Sequence, residues 1–108
     1  MSNEPERALE IHEVNWEALS VHAKQGRVVF IAPHSTLEVK DVAAVLLEDR
    51  AGELKAWLSQ GEVLQPDEAF IQSWDGKRWS VFSFAIVQPF VVAKLLREVL
   101  DGSAQDSH

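Results

Sequence analysis

Residues 79–90 form an apolar, aromatic-rich run, and this run is the strongest structural signal in the chain. Successive side chains of a strand point to opposite faces of a sheet, so Phe82 and Phe84 share one face. Both faces are apolar enough to be buried, which is typical of a central strand with helices or a partner subunit on each side. Pro89 lacks a backbone N–H, so we expect it to end or bend this strand.

The chain upstream of this run predicts a surface helix followed by a strand. Asn15 can cap a helix over about residues 15–25, in which the apolar residues recur on one face. Gly26 can end this helix, because glycine readily adopts a left-handed backbone conformation. The β-branched and aromatic run 27–33 then predicts a buried strand, which we expect to be the first strand of the sheet.

Residues 36–60 predict either a pair of helices or one bent helix. Ser35 and Glu38 have the spacing of a capping box, in which a hydroxyl and a carboxylate each accept a hydrogen bond from a free backbone N–H at a helix start. Apolar residues then recur at helical spacing, and we expect a break near Asp49 or Arg50.

Residues 67–76 allow two interpretations. Pro66 and Asp67 suit the first turn of a short helix, which is the interpretation we favour. The alternative is a β-hairpin, since Asp75 and Gly76 form a recognised two-residue turn signal between two aromatic segments.

These elements predict an α/β (α+β) fold, with a small single-layer sheet of about three strands packed with three to five helices. Residues 62–65 are expected to form an edge strand, and residues 90–100 a terminal helix because their apolar positions recur at helical spacing. We expect one globular domain over residues 9–100, with flexible tails at residues 1–8 and 101–108.

Composition and charge argue against several classes of partner and functional site. The chain carries 17 acidic and 10 basic residues, a formal net charge of −7, so we expect no nucleic-acid partner. It has no cysteine, which excludes disulfides, thiolate chemistry and cysteine-ligated zinc. The acidic start does not resemble a secretory signal, and no apolar stretch reaches the ~18 residues of a membrane helix. We therefore expect a cytoplasmic protein with no membrane partner.

The residue types that usually serve in catalysis or ligand binding form no recognisable motif. The four histidines, His12, His22, His34 and His108, lack the spacing of metal ligands, so we expect no metal or other cofactor. The glycines are isolated from one another, which gives no phosphate-binding loop. No serine lies in a nucleophile motif. We assign no catalytic residue, and a non-enzymatic role is favoured while the question of catalysis stays open.

Several segments carry a resemblance by their order and spacing, namely residues 15–19, 26–31, 39–49, 55–58, Gly61 and residues 87–92. Together they resemble a small family of uncharacterised bacterial proteins, domain of unknown function 2288. The resemblance covers about residues 14–93. It implies a compact bacterial cytoplasmic α/β domain whose activity is unassigned, and it supplies no functional residue.

Two functional hypotheses of different classes follow. The first is a non-enzymatic protein-interaction or self-associating module, with Phe82, Phe84 and Phe90 as interface candidates because aromatic residues are enriched at the centres of interfaces. The second is a small-ligand-binding or enzymatic domain whose pocket lies at the strand–helix junction around His34 and Ser35. The first predicts an exposed apolar patch, and the second predicts a concave pocket with converging polar groups.

Overall fold

A computed structural model describes residues 10–101, which form five strands and four helices. The predicted tails lie outside the described residues except for Asp101, and so does His108. The elements in chain order are β1 (His12–Asn15), α1 (Trp16–Lys24), β2 (Val28–Ile31), α2 (Val39–Leu47), α3 (Ala51–Gln60), β3 (Val63–Leu64), α4 (Glu68–Gln72), β4 (Val81–Val87) and β5 (Phe90–Arg97).

The strands form one mixed sheet in the order β1-β4-β5-β2-β3. Only the β2–β5 pair is parallel among these strands, and the other three pairs are antiparallel. The α+β class is confirmed, but the expected three strands are too few. One added strand is β1, which pairs with β4, so β2 is not the first strand of the sheet.

The other added strand is β5, and the predicted terminal helix at residues 90–100 is wrong. Val91, Val92 and Ala93 are all buried, because β5 lies inside the sheet and both of its faces are covered. Burial on both faces removes the alternation that identifies a strand, and the resulting apolar run matches helical spacing by chance. A two-residue turn with a cis Gln88–Pro89 bond joins β4 to β5.

Helices cover both faces of the sheet. The aromatic face carries Phe30, Phe82 and Phe84, and it packs beneath α1 and α4. The aliphatic face, which includes Val29 and Val92, packs beneath α2 and α3. The two faces therefore bury two separate hydrophobic clusters, one on each side of a single sheet.

Local signals at the ends of α1 and α4 agree with the structure. Asn15 Oδ1 accepts a hydrogen bond from Ala18 N at 3.0 Å, which confirms the predicted cap of α1. Asp67 Oδ1 likewise accepts one from Phe70 N at 2.8 Å, and α4 confirms the helical interpretation of residues 67–76. The alternative hairpin is wrong, because β4 pairs with β1 and β5 instead.

The helical pair at residues 36–60 is confirmed, but its predicted start is wrong. The capping box is formed by Glu38 and Asp41, not by Ser35 and Glu38, so α2 begins at Val39. The hydroxyl of Ser35 is committed elsewhere, as described below. The break between α2 and α3 falls as expected, with Asp49 at a positive φ of 58°.

Candidate interaction surface

Phe82, one of the three interface candidates, lies in the core of the single chain. Its side chain is only 1% exposed. Its ring contacts Trp74 at a centroid distance of 5.2 Å, Phe30 at 5.5 Å and Trp16 at 6.0 Å. Aromatic pairs at these distances and inclinations stabilise a core beyond the area that they bury. Phe82 thus supports the fold and leaves the surface to other residues.

The other two candidates, Phe84 and Phe90, are half-buried on opposite faces of the sheet. Phe84 lies on the aromatic face beside β1, where its ring centroid is 6.0 Å from that of His12. Phe90 lies on the aliphatic face and lines a cavity of about 170 Å³ with Leu46 and Leu54 of α2 and α3. The three phenylalanines therefore do not form one continuous surface.

The structure does place an exposed apolar surface at the outer end of the sheet. β1 is an edge strand, and among residues 10–101 it pairs with β4 alone. Ile86 on β4 is 54% exposed, and Ile11, just before β1, is 46% exposed. We call the outer edge of β1 together with Ile11, His12, Phe84 and Ile86 the β1-edge surface, in which strand alternation sets Ile11 on the face opposite to the other three side chains.

The register of the sheet explains how this surface is assembled. His12 pairs with Phe84, and Val14 pairs with Phe82, so these four side chains share the aromatic face. Ile86 lies two residues beyond Phe84 on the same face and pairs on its inner side with Val91. Exposure thus increases along this face of β4, from buried Phe82 through half-buried Phe84 to exposed Ile86.

The helices leave this part of the aromatic face uncovered because they pack over the inner strands. α1 places Trp16, Leu19 and Ala23 in the aromatic cluster with residues of β2 and β5. α4 lies towards the opposite edge, where the ring of Phe70 is 5.0 Å from that of Phe30. The β1 end of the face consequently depends on its own side chains for cover.

The charges at this edge are exposed and lie close to the apolar residues. Glu10 Oε1 is 3.3 Å from His12 Nε2, and both side chains are largely exposed. Glu13 is also exposed and, because strand residues alternate, points to the opposite face from His12. Charged residues on an edge strand oppose indiscriminate strand pairing, so any partner here has to match them.

The predicted ligand residues at the β2–α2 junction have different environments. Ser35 is buried; its hydroxyl donates to Glu62 Oε1 at 2.6 Å and accepts from Leu37 N at 3.1 Å. The adjacent His34 is exposed. Ser35 therefore joins this junction to the start of β3, and its hydroxyl is occupied by these two hydrogen bonds. A ligand site beside His34 stays a prediction.

Two open cavities of about 590 and 370 Å³ lie elsewhere, along the seam between α1 and α4. Both are lined by Lys24, Ile71 and Asp75, and neither is lined by His34 or Ser35. Within residues 10–101, no group of three or more His, Cys, Asp or Glu side chains is arranged to hold a metal ion. No helix in the same residues combines the length and hydrophobicity needed to cross a bilayer.

A second charged feature lies at the corner between α2 and α3, beside the cavity lined by Phe90. Arg50 donates from Nε to Glu53 Oε1 at 2.9 Å and also bonds Glu48. Hydrogen bonds to Glu48 and Glu53 stabilise the charged guanidinium and raise the pKa of Arg50 above its ordinary value. These exposed hydrogen bonds join the C-terminal cap of α2 to the first turn of α3.

Sequence reasoning did not identify Ile11 and Ile86 as candidates for this surface. The alternation of side-chain direction along residues 79–90 does place Ile86 on the same face as Phe84. β1 was not predicted as a strand, because its sequence His-Glu-Val-Asn contains a single apolar residue. Its pairing with β4 decides that Ile86 lies near the open end of the sheet.

Comparisons with known proteins agree with the fold and supply no activity. The family described as "Protein of unknown function (DUF2288)" matches residues 5–95, and the chain belongs to this family. A comparison with curated proteins finds no match. The chain resembles the NMR solution structure of PA1075 from Pseudomonas aeruginosa, with 22% identity and a TM-score of 0.67, over 79% of this chain and 76% of that one. At this identity the likeness shows the fold alone.

Proposed function

We propose that this DUF2288 protein is a non-enzymatic interaction module that self-associates through the β1-edge surface. The observation that carries the proposal is a strand edge with no partner strand among residues 10–101, which has exposed Ile11 and Ile86 beside it. An edge strand offers a row of backbone donors and acceptors, to which a strand of another chain can add. The apolar side chains beside it supply area that a partner removes from water.

The half-buried side chain of Phe84 is held in place within this surface by packing. It packs against the aromatic cluster on its inner side and against His12 on its outer side. A rigid aromatic side chain is a suitable interface anchor, because little conformational entropy is lost when a partner covers it. Phe84 therefore keeps its place as an interface candidate, while Phe82 stabilises it from within the core and Phe90 belongs to the other face.

The proposal is tested by light scattering across a dilution series of the native protein and two variants. Ile86→Asp places a charge in the β1-edge surface, and Leu47→Asp is its matched control on α2, where Leu47 is 60% exposed. We expect a native dimer that dissociates on dilution. Ile86→Asp should weaken it by about 10-fold or more, because a carboxylate in an apolar contact loses its hydration.

The Leu47→Asp dimer should dissociate at the same concentration as the native dimer, since this substitution changes the charge equally but at a site distant from the β1-edge surface. Phe84→Asp is less informative, because Phe84 also packs in the core and its loss would destabilise the monomer. Circular dichroism and urea unfolding confirm that each variant is folded. A monomer at every concentration would contradict self-association and leave the ligand-site prediction at His34 and Ser35 as the hypothesis to test. If Ile86→Asp and Leu47→Asp weaken the dimer equally, the dimer does not depend specifically on the β1-edge surface.

A further inference from the structure

We infer that an apolar cavity beneath α4 binds the end of a short alkyl chain. The cavity has a volume of about 60 Å³ and lies between α4 and the aromatic face of the sheet. We call it the α4 cavity, and its lining includes Phe30, Leu64, Phe70, Trp74, Phe82 and Leu95. The inference is independent of self-association, because none of these residues belongs to the β1-edge surface.

Four aromatic rings that line the α4 cavity hold it open. Phe30 contacts Phe70 at a centroid distance of 5.0 Å, and Phe70 contacts Trp74 at 6.3 Å. Trp74 contacts Phe82 at 5.2 Å, and Phe82 contacts Phe30 at 5.5 Å, so the contacts form a closed circuit. Aromatic pairs at these separations are favourable beyond the area that they bury. Because flat rings cannot bend into the space between them, closing the cavity would break part of this circuit.

The lining of the α4 cavity favours an apolar occupant over water. The part of the lining that the structure describes contains no charged, hydroxyl or amide side chain. A buried water needs roughly two to four polar partners, whereas empty apolar cavities stay dry and bind apolar ligands. Within residues 10–101, every buried side-chain N or O atom already has a hydrogen-bond partner, so none requires a water here. An apolar group that enters gains dispersion contacts with walls that otherwise face empty space.

The volume of the α4 cavity limits the size of its occupant. An apolar cavity of about 150 Å³ holds a benzene ring, which has six carbon atoms. The α4 cavity, at about 60 Å³, has roughly two-fifths of that volume. It therefore accommodates about two or three carbon atoms, which corresponds to the end of an alkyl chain and not to a whole aromatic ring.

The exposure of the lining residues shows where a chain enters. Phe30 and Phe82 are buried and close the inner end of the cavity. Leu64 and Leu95 are half-buried, and Pro33, which also lines the cavity, is exposed. The path from solvent is therefore short, and an alkyl chain can insert its end while a polar group at its other end stays hydrated.

The entrance lies at the junction between β2 and α2. Ligands of open α/β sheets commonly bind at the carboxyl ends of parallel strands, and β2 and β5 are parallel. The cavity is lined there by Ile31, the last residue of β2, and by Pro33. Its described lining does not include His34 or Ser35, so the α4 cavity is distinct from the ligand site predicted at those two residues.

Xenon and a series of 1-alkanols test the α4 cavity, because both probes are neutral. Methyl NMR signals of Leu64 and Leu95 report on this cavity, and those of Leu46 and Leu54 report on the separate cavity at the α2–α3 corner. We expect xenon and 1-propanol to shift the signals of Leu64 and Leu95. From methanol to 1-propanol the affinity should rise about 4-fold per methylene, because each one is removed from water. Longer alkanols should bind no more tightly, since the cavity is then full.

Substitutions at Leu95 change the cavity in opposite directions. Leu95→Phe adds bulk at the entrance and should weaken 1-propanol binding by about 10-fold or more. Leu95→Ala enlarges the cavity, so the rise in affinity should continue to 1-butanol or beyond. Leu58→Phe and Leu58→Ala are the matched controls, because Leu58 is also half-buried but packs against the aliphatic cluster. Both controls should bind 1-propanol within about 2-fold of the native affinity, and urea unfolding confirms that each variant is folded.

The outcomes decide the inference whether the native chain is a monomer or a dimer. Shifts at Leu64 and Leu95 that are lost in Leu95→Phe, with an affinity that levels off near 1-propanol, support it. The absence of a shift with 1-propanol, or equal weakening by Leu95→Phe and Leu58→Phe, overturns it. Xenon binding without 1-propanol binding also overturns it, because the cavity is then a closed void. If Leu95→Phe does not fold, Leu95→Ala decides, and an unchanged dependence on chain length contradicts the inference.

Discussion

The two edges of the sheet are protected in different ways. β3, at one end, has only two residues, and Val63 is 1% exposed because α3 and the aliphatic cluster cover it. β1, at the other end, has four residues, and Ile11 and Ile86 remain exposed beside it. Among residues 10–101, packing covers the Val63 side chain of β3, whereas exposed charged side chains line the edge of β1. Under the proposed function, a complementary partner would add at β1 without displacing any of the five strands and four helices described.

Hydrogen bonds reinforce the same contrast. The residue before β3, Glu62, accepts from Ala32 N at 2.9 Å through its backbone and from Ser35 Oγ at 2.6 Å through its side chain. Lys94 of β5 donates from Nζ to Leu37 O at 2.6 Å, which attaches the same loop to the inner sheet. The β3 edge is thus connected to the β2–α2 loop by side chains, and little of it can open alone.

The largest effect is expected for a charge introduced at the covered edge. Val63→Asp would bury a carboxylate in the aliphatic cluster, and should reduce the free energy of unfolding by about 4 kcal/mol. Ile11→Asp at the open edge should change it by no more than about 0.5 kcal/mol, because the introduced carboxylate stays hydrated. Urea unfolding, at a dilution at which the protein is monomeric, measures both.

If Val63→Asp does not fold, Val63→Ala tests the same contrast with a smaller change. It removes buried methyl groups and leaves a cavity, so we expect a loss of about 2 kcal/mol. A loss at Ile11→Asp equal to that at Val63→Ala would contradict the distinction between a covered and an open edge.

Local chemistry explains which parts of this contrast could be predicted from the sequence. The edge strand at residues 62–65, the helix capped by Asn15 and the break near Asp49 each depend on a few neighbouring residues. The cap at Asn15 and the stop at Gly26, whose φ is 74°, are such local signals, and both are confirmed. Ser35 was misassigned because its hydroxyl donates to Glu62, which is distant in sequence, and accepts from Leu37 N.

The open edge could not be predicted, because it depends on long-range pairing. β1 contains one apolar residue and lies in an acidic segment, so only its contact with β4 makes it a strand. The misassigned helix at residues 90–100 has the same origin, since β5 is buried by strands and helices from remote parts of the sequence. Without β1 and β5, the alternation around Phe84 could indicate a face but not how much of it is covered.

An intermediate effect is expected for Ser35→Ala, which tests the connection that secures the covered edge. The substitution removes the donor to Glu62 and the acceptor for Leu37 N, so the free energy of unfolding should fall by about 2 kcal/mol. Thr36→Ala is the matched control, because Thr36 is exposed and adjacent. Urea unfolding distinguishes them, and equal stability of the two variants would show that the Ser35 hydrogen bonds do not hold β3 in place.

The smallest effect is expected for Asn15→Ala, at the junction between the open edge and α1. The side chain of Asn15 caps α1, so its loss should reduce the free energy of unfolding by about 1 kcal/mol. Asn15 also pairs with Val81 through the backbone, which the substitution retains. The dimer dissociation constant should therefore remain within about 2-fold of the native value, because the exposed residues 10–12 are unchanged. A loss of dimer as large as that caused by Ile86→Asp would show that the edge needs a fully formed α1, and the open edge would then not be independent of the helix beside it.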